Sequence, residues 1–161
     1  MLPKKLLKYY PVLFAKGKRG VIYTFKKNKK TIALKIKNPD SKAQNRIENE
    51  INFLKILNKH KIGPKLLEHG EDYFCYEFIN GLTLKEYIKN NNPKKIFNKI
   101  LDQCKTLDEL KINKEEMHNP IKNIIIKKNK PILIDFERCH FTSRPKNVNQ
   151  FKQFTKKFNI A

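Results

Sequence analysis

The sequence predicts an α+β fold, because segments with strand periodicity and segments with helix periodicity lie in separate blocks. Strands with one helix fill the first half of the chain, and helices with one hairpin fill most of the second half. A chain of 161 residues is long enough for one domain with a proper core and too short for two of typical size. We therefore predict a single domain over residues 1–161, built as two small lobes.

The first block is typical of antiparallel hairpins, since β-branched and aromatic residues flank polar turns. An Asn-Pro-Asp-Ser break at residues 38–41 offers an N-cap, and apolar residues at helical spacing then predict a helix that begins near residue 43 and ends near residue 59. The predicted strands around it cover residues 12–14, 20–25, 31–36, 66–67 and 73–79.

The second block begins with a short helix predicted over residues 82–88, which an Asn-Asn-Asn-Pro run stops. Apolar residues at steps of three and four predict a longer helix over residues 96–110. Apolar runs at residues 124–126 and 132–134 predict a hairpin, and phenylalanines in the final 15 residues have helical spacing.

The chain carries 36 Lys and Arg against 15 Asp and Glu, a formal net charge of +21. A balance this basic is typical of proteins that bind nucleic acid or another anionic surface, so nucleic acid is a candidate partner. A general bias toward Lys, Asn and Ile, spread over solvated faces, explains the same numbers, because arginine occurs only at Arg19, Arg46, Arg138 and Arg144. Both interpretations stay open.

The three cysteines, Cys75, Cys104 and Cys139, are far apart in apolar surroundings and form no CxxC pair. This pattern indicates neither a zinc site nor a disulfide framework, and it fits a reducing, cytoplasmic compartment. Lysines and a proline interrupt the N-terminal residues before any continuous apolar segment forms. We therefore expect neither a signal peptide nor a membrane-spanning helix, and no membrane partner.

Two oxygen-bearing side chains lie at the mouth of the last predicted hairpin. Asn123 directly precedes its first strand, and Asp135 follows its second. A hairpin brings the mouths of its strands together, so the amide and carboxylate oxygens are expected close to each other. Such a pair suits Mg²⁺ on a nucleoside triphosphate, and we predict Asn123 and Asp135 as metal ligands.

A nucleotide also requires groups that bind its phosphates. Gly17 and Gly20 lie between two strands, where the lack of a Cβ lets backbone N–H groups approach phosphate. Lys35 lies on the next strand among apolar residues, and Glu50 on the following helix can pair with it and hold its ammonium toward phosphate oxygens. Taken singly, an ordinary hairpin turn and a lysine at a strand edge explain these residues as well.

The order of these residues resembles the protein kinase-like superfamily over roughly residues 10–140. Residues 15–22 resemble the glycine-rich loop with alanine for its first glycine, and residues 32–35 (Ile-Ala-Leu-Lys) resemble the Val-Ala-Ile-Lys strand. The resemblance implies ATP as cofactor, bound in this half by Gly17, Gly20, Ile22, Ala33, Lys35 and its partner Glu50 at the helix-C position.

The second half continues the same order. A hinge is implied at residues 77–81, with the backbones of Glu77 and Ile79 at the adenine. Asn123 matches the catalytic-loop asparagine, and Asp135, followed by Phe and Glu, matches the aspartate of Asp-Phe-Gly. The resemblance thus implies that Asn123 also contacts the nucleotide and that Asp135 takes part in catalysis.

Three further segments are similar to small archaeal predicted serine/threonine kinases, related to the RIO and KEOPS-complex kinases: residues 62–67, 117–123 and 134–139. This resemblance implies a bilobal kinase-like fold with an antiparallel-sheet N-lobe that holds one helix and a truncated helical C-lobe. The N-lobe would span about residues 10–79 and the C-lobe about residues 82–161.

One position departs from the kinase pattern. A kinase has an aspartate five residues before the asparagine, where it accepts the proton of the substrate hydroxyl, and here that position is His118. His118 is our candidate general base or substrate orienter, and a structural histidine is the alternative. Glu115 and Glu116 are nearby carboxylates that can stand in for it. Glu137, in place of glycine, either binds metal or faces solvent.

Three functions are consistent with these observations. The first is an ATP- and Mg²⁺-dependent phosphotransferase, an atypical serine/threonine kinase that acts on a hydroxyl-bearing protein or small molecule. The second is a pseudokinase or ATP-binding scaffold, because the aspartate is missing and about two dozen residues after Arg138 leave no room for an activation segment. The third is a small-molecule kinase or ATPase that acts with an RNA-associated complex.

Overall fold

The computed structural model of the chain describes residues 1–158. Residues 159–161, the end of the predicted domain, lie outside the described residues. The chain divides into two compact units, the first spanning Met1–Phe78 and the second beginning at Ile79. This boundary falls within residues 77–81, the segment for which we predicted a hinge.

The first unit contains a five-stranded antiparallel sheet with strand order β1-β2-β3-β5-β4 and one α-helix. Helix α1, Arg46–Leu57, lies between β3 and β4 in the chain, and 3-10 helices occupy Lys4–Tyr9 and Asn58–His60. All five predicted strands are present, as β1 Val12–Lys16, β2 Gly20–Lys27, β3 Lys30–Lys37, β4 Leu66–His69 and β5 Tyr73–Glu77.

Alternation along β3 separates the two faces of this sheet. Ile32, Leu34 and Ile36 are buried in one hydrophobic cluster together with Leu6 and Cys75. Successive side chains of a strand point to opposite faces, so the residues between them leave the sheet on the other side. The apolar pattern of β3 therefore fixes the face on which the candidate nucleotide residues of this strand lie.

Helix α1 begins at Arg46, three residues later than predicted, and it has no side-chain cap. The residue before it, Asn45, adopts a left-handed backbone with φ 58°. The N-cap predicted at residues 38–41 is wrong because Asn38 has another role. Its Nδ2 donates a hydrogen bond of 2.7 Å to the carbonyl oxygen of Gly17, in the turn between β1 and β2.

The described part of the second unit contains three α-helices, two small antiparallel sheets and a terminal 3-10 helix at Lys156–Phe158. One sheet has strand order β6-β8-β9, and the other pairs β10 with β7. The helices are α2 Leu84–Asn90, α3 Lys94–Glu109 and α4 Asn147–Thr155. The strands are β6 Leu82–Thr83, β7 Ile112–Asn113, β8 Ile124–Lys127, β9 Lys130–Leu133 and β10 His140–Phe141.

A capping box explains why α2 begins at Leu84 and not at Leu82 as predicted. The Thr83 hydroxyl accepts a hydrogen bond from the Glu86 N–H at 3.2 Å, and the Glu86 carboxylate accepts one from the Thr83 N–H at 2.8 Å. Leu82 instead pairs with Ile126 of β8. Leu82 and Thr83, which the sequence assigned to the helix, therefore form strand β6, and Thr83 also caps α2.

Helices α3 and α4 pack through an aromatic cluster that confirms the helical spacing of the terminal phenylalanines. The ring of Phe97 makes edge contacts with Phe151, Phe154 and Phe158, with centroids 5.6, 5.8 and 5.4 Å away. Edge-to-face contacts of this kind add to the apolar burial that stabilises a core. Among residues 1–158, we find no helix with the length and apolarity required to cross a membrane.

Candidate functional site

A buried ion pair is the central feature of the first unit. Lys35 Nζ on β3 lies 2.6 Å from Glu50 Oε2 on α1, and the two side chains are only 12% and 4% exposed. Removing two charges from water is costly unless they are paired, and the short distance supplies that pairing. The pairing predicted from the sequence is present.

The turn between β1 and β2 is fixed from behind by a buried asparagine. The Gly17 N–H donates to the Gly20 carbonyl at 2.9 Å, which closes the turn. Asn38 donates from its side chain to the carbonyls of Gly17 and Lys18 and from its backbone to that of Arg19, at 2.7, 3.3 and 2.9 Å. No sequence signal predicted this role, because an Asn-Pro pair after a strand is equally typical of a break.

The two glycines of this turn are required to different degrees. A Cβ on Gly20 would lie 2.9 Å from Lys35 Cε, whereas a Cβ on Gly17 would meet nothing closer than the Gly20 carbonyl oxygen at 3.4 Å. The first contact forces a neighbour to move, and the second is ordinary van der Waals contact. Gly20 therefore leaves the space that the Lys35 side chain occupies.

The structure brings Ile22 and Ala33 to the same face of the sheet as Lys35. Ile22 lies opposite Lys35 in the β2–β3 pairing, and Ala33 is fully buried two residues before it. Glu77 ends β5, and its carboxylate lies 3.7 Å from Lys30 Nζ. Ile79 is the first residue of the second unit.

In the second unit, the β8–β9 hairpin holds Asn123 and Asp135 at its mouth, as predicted. Ile124 pairs with Leu133, and beyond this pair the Ile134 N–H donates to the Asn123 carbonyl at 2.9 Å. Asp135 follows directly with φ 65°, a left-handed backbone that is uncommon for any residue except glycine. Strained backbone of this kind occurs often at functional sites.

Asn123 contacts Glu116, a carboxylate for which the sequence predicted only the role of substitute base. Asn123 Nδ2 donates to Glu116 Oε2 at 3.2 Å, and Arg138 Nη1 lies 3.0 Å from Glu116 Oε1. His118 is exposed on a turn and makes no hydrogen bond or ion pair with residues 1–158. The structure thus brings Glu116 to Asn123, and within residues 1–158 it gives His118 no hydrogen bond or ion pair with another candidate residue.

The alternative that Glu137 faces solvent is wrong, because this residue is only 8% exposed. It is one of a few buried charged residues in the chain, along with Glu50. A buried carboxylate must be paired or hydrogen-bonded, and Glu137 does have interaction partners.

The donor chemistry of the hairpin mouth fits Mg²⁺ on a nucleotide better than a metal held by protein alone. Residues 1–158 contain no group of three or more His, Cys, Asp or Glu side chains that could hold a metal ion. Mg²⁺ in nucleotide sites takes one or two protein carboxylates, with phosphate oxygens and water as the remaining ligands. A carboxylate and an amide oxygen, as at Asp135 and Asn123, are donors of the kind that such a site takes.

Two of the three cysteines are poorly suited to chemistry at this site. Cys75, Cys104 and Cys139 are all buried and carry free thiols. Burial raises the pKa of Cys75 and of Cys104 to about 12, so both thiols are protonated at neutral pH. A protonated, buried thiol is a poor nucleophile and a poor metal ligand.

No protein-family model matches the sequence, and no curated protein does. A solved structure does match: the Rio2 kinase in an ADP/Mg²⁺-phosphoaspartate complex from Chaetomium thermophilum, with a TM-score of 0.68 and 14% sequence identity. The match covers 93% of this chain and 55% of that one, so the chain spans about half the length of its structural neighbour. A likeness at this identity establishes the fold alone, and the predicted fold class is confirmed: the chain has a protein kinase-like α+β fold.

Proposed function

We propose that the chain is an ATP- and Mg²⁺-dependent phosphotransferase, a minimal atypical serine/threonine kinase that acts on a hydroxyl-bearing protein or small molecule. The buried Lys35–Glu50 ion pair carries this proposal. A buried pair is often no more stabilising than apolar residues of similar size, so its presence on a kinase-like fold points to a use for the lysine beyond stability.

In the proposal, the first unit supplies most of the contacts to the nucleotide. Lys35 contacts α- and β-phosphate oxygens while Glu50 holds its ammonium in place. The turn with Gly17 and Gly20 covers the phosphates. The base is contacted by Ile22 and Ala33, and its edge by the backbones of Glu77 and Ile79.

The second unit supplies the metal ligands in this proposal. Asn123 and Asp135 offer the two oxygens, and bound Mg²⁺ would neutralise charge on the phosphate oxygens. A neighbour of the same fold solved with ADP and Mg²⁺ supports this assignment. His118, exposed on the same loop as Glu116, is the proposed acceptor of the hydroxyl proton.

The experiment is transfer of label from γ-labelled ATP to candidate acceptors. We expect Asp135→Asn to abolish Mg²⁺-dependent transfer without unfolding, because asparagine also tolerates a left-handed backbone. Lys35→Arg keeps a cation beside Glu50 but replaces a point charge with a planar group, so transfer should fall sharply. Lys37→Arg, two residues along the same strand, is the matched control and should retain wild-type transfer. Unchanged activity of Asp135→Asn would contradict the assignment.

A second candidate is nucleotide binding with hydrolysis or without any turnover. The observation in its favour is that His118, at the position of the kinase aspartate, makes no polar contact with the described residues. Release of labelled inorganic phosphate with no labelled acceptor would indicate an ATPase, and Mg²⁺-dependent binding with neither product would indicate a scaffold. Labelling of an acceptor that is lost in His118→Ala would favour the kinase.

Nucleic acid as an additional partner is favoured by one of two lysine-rich hairpin tips. At the β2–β3 tip, two of the lysines have partners, because Lys26 donates to Thr31 and Lys30 pairs with Glu77. At the β8–β9 tip, Lys128 and Lys130 are exposed and form no ion pair within residues 1–158. Unpaired lysines at an exposed tip are suited to phosphate contacts.

Binding of a short RNA at increasing salt tests this option. Lys128→Gln with Lys130→Gln should weaken binding and reduce its salt dependence, because fewer counterions are released. Lys26→Gln with Lys30→Gln is the matched control with equal charge loss. Equal losses of RNA binding in the two double variants would show that binding depends only on the net charge of the protein and not on the β8–β9 tip.

A further inference from the structure

Two consecutive glutamates in the second unit have the same backbone conformation but different partners. Glu115 and Glu116, which form the acidic loop, have φ angles of 72° and 61°, both left-handed. This conformation costs free energy for a residue with a Cβ, so the surrounding contacts must hold it. Each carboxylate accepts a hydrogen bond from a different asparagine, Glu115 from Asn113 and Glu116 from Asn123, at 3.1 and 3.2 Å.

The two asparagines differ in what their amide oxygens do. Asn113 Oδ1 accepts the Lys146 N–H at 2.8 Å, so both ends of this amide are used inside the protein. Asn123 Oδ1 accepts no hydrogen bond from residues 1–158, although its Nδ2 is bound to Glu116. One amide is therefore purely structural, and the other keeps its oxygen available.

The carboxylate determines which end of the Asn123 amide faces it. An ionised carboxylate only accepts hydrogen bonds, so it can face the Nδ2 group and not Oδ1. A flipped amide would place oxygen against oxygen, which is repulsive. Glu116 therefore directs the Asn123 oxygen away from itself.

Arg138 restrains Glu116 in turn. Its Nη1 lies 3.0 Å from Glu116 Oε1, the oxygen that Asn123 does not use. Each carboxylate oxygen thus has one partner, and the side chain is fixed at both ends. The three residues come from the acidic loop, the start of the β8–β9 hairpin and the segment after it.

From these contacts we infer that Glu116 is a positioning residue that orients the Asn123 amide oxygen for a Mg²⁺–nucleotide complex. The inference rests on the proposed function and deepens it, because it separates Glu116 from the role of general base. Partners that orient a metal ligand change metal affinity by about 10- to 100-fold when they are removed.

Glu116→Gln is the test, because glutamine offers only one acceptor oxygen for two donors. We expect the Mg²⁺ concentration that half-saturates binding of a nonhydrolysable ATP analogue to rise by about 10- to 100-fold. Binding of the analogue without metal should stay unchanged. Glu115→Gln, the neighbouring glutamate with the same backbone, is the matched control and should leave the Mg²⁺ requirement unchanged.

A second readout does not depend on nucleotide or metal. In the free protein, the side-chain amide ¹⁵N–¹H signals of Asn123 should shift in Glu116→Gln and not in Glu115→Gln, while those of Asn113 should show the opposite response. An unshifted Asn123 signal in Glu116→Gln overturns the inference. Loss of phosphoryl transfer with unchanged Mg²⁺-dependent binding also overturns it, because that result identifies a base. If wild-type protein shows no Mg²⁺-dependent nucleotide binding, the proposed function fails, and the Asn123 signal still decides whether Glu116 orients this amide.

Discussion

The two units hold their charged candidate residues in different ways. In the first unit, the buried Glu50 lies on a regular helix and the largely buried Lys35 lies on a regular strand. In the second, Glu116 and Asp135 lie on irregular segments with left-handed backbone, and the Glu116–Arg138 pair is 46% and 43% exposed. In the first unit, the geometry of the candidate residues therefore depends on the packing that stabilises the fold. In the second unit, it depends on local hydrogen bonds.

The largest expected difference between the units is the cost of breaking each ion pair. Lys35→Met leaves the Glu50 carboxylate buried without its 2.6 Å partner and should cost the first unit about 3–5 kcal/mol. Arg138→Met breaks an exposed pair and should cost the second unit about 0–1 kcal/mol. Urea unfolding can be followed separately in each unit by alkylation of Cys75 and Cys104, which are both buried.

The control for this prediction is the double variant Lys35→Met with Glu50→Met. Replacing both charges by apolar residues should recover most of the lost stability, because neither the lysine nor the glutamate is then left buried without the other. Equal losses for Lys35→Met and Arg138→Met would contradict the difference between the units.

Glycine substitutions test the difference between the two units with smaller expected changes in stability. A Cβ on Gly81 would collide with the backbone carbonyl of Ile126, so Gly81→Ala should destabilise the second unit by about 1–3 kcal/mol. A Cβ on Gly20 presses against Lys35 Cε, a side-chain atom, so Gly20→Ala should cost less stability than Gly81→Ala while weakening nucleotide binding. Gly17→Ala should leave stability unchanged, and thermal unfolding of the three variants gives the ranking. A large loss for Gly17→Ala would contradict it.

Alkaline destabilisation is expected in both units, with one thiol in each. Burial raises the pKa of Cys75 and Cys104 from 9.0 to about 12, so the folded state keeps protons that the unfolded state loses. The stability from this difference is complete below pH 9 and is lost as pH rises toward 12. Unfolding midpoints measured across this range should fall, and less steeply in Cys75→Ala or Cys104→Ala. Identical slopes in wild type and both variants would contradict this cause.

The regular parts of the site follow from the sequence, and the irregular parts do not. Period two along β3 and helical spacing in α1 determine the face on which Lys35 and Glu50 lie, and the resemblance to the kinase pattern adds that the two side chains pair. No periodicity describes the left-handed residues of the acidic loop, and the Asn123–Glu116 contact depends on them. The same applies to Asn38, whose hydrogen bonds depend on where a turn from elsewhere in the chain is placed.

Short elements were missed for a related reason. Strands β7 and β10 have two residues each, which is too short to show alternation. Their pairing nevertheless places Asn113 near the start of the acidic loop, where it binds Glu115. Local sequence therefore predicts the scaffold, and contacts distant in the chain determine the final geometry of the second unit's residues.

Binding of a nonhydrolysable ATP analogue, measured by calorimetry with and without Mg²⁺, tests the central claim most directly. We predict that Mg²⁺ strengthens binding to the wild-type protein and has no such effect on Asp135→Asn, which keeps the shape and backbone of the residue but removes its charge. Binding that is equally strong with and without Mg²⁺, or equally Mg²⁺-dependent in Asp135→Asn, would contradict the account.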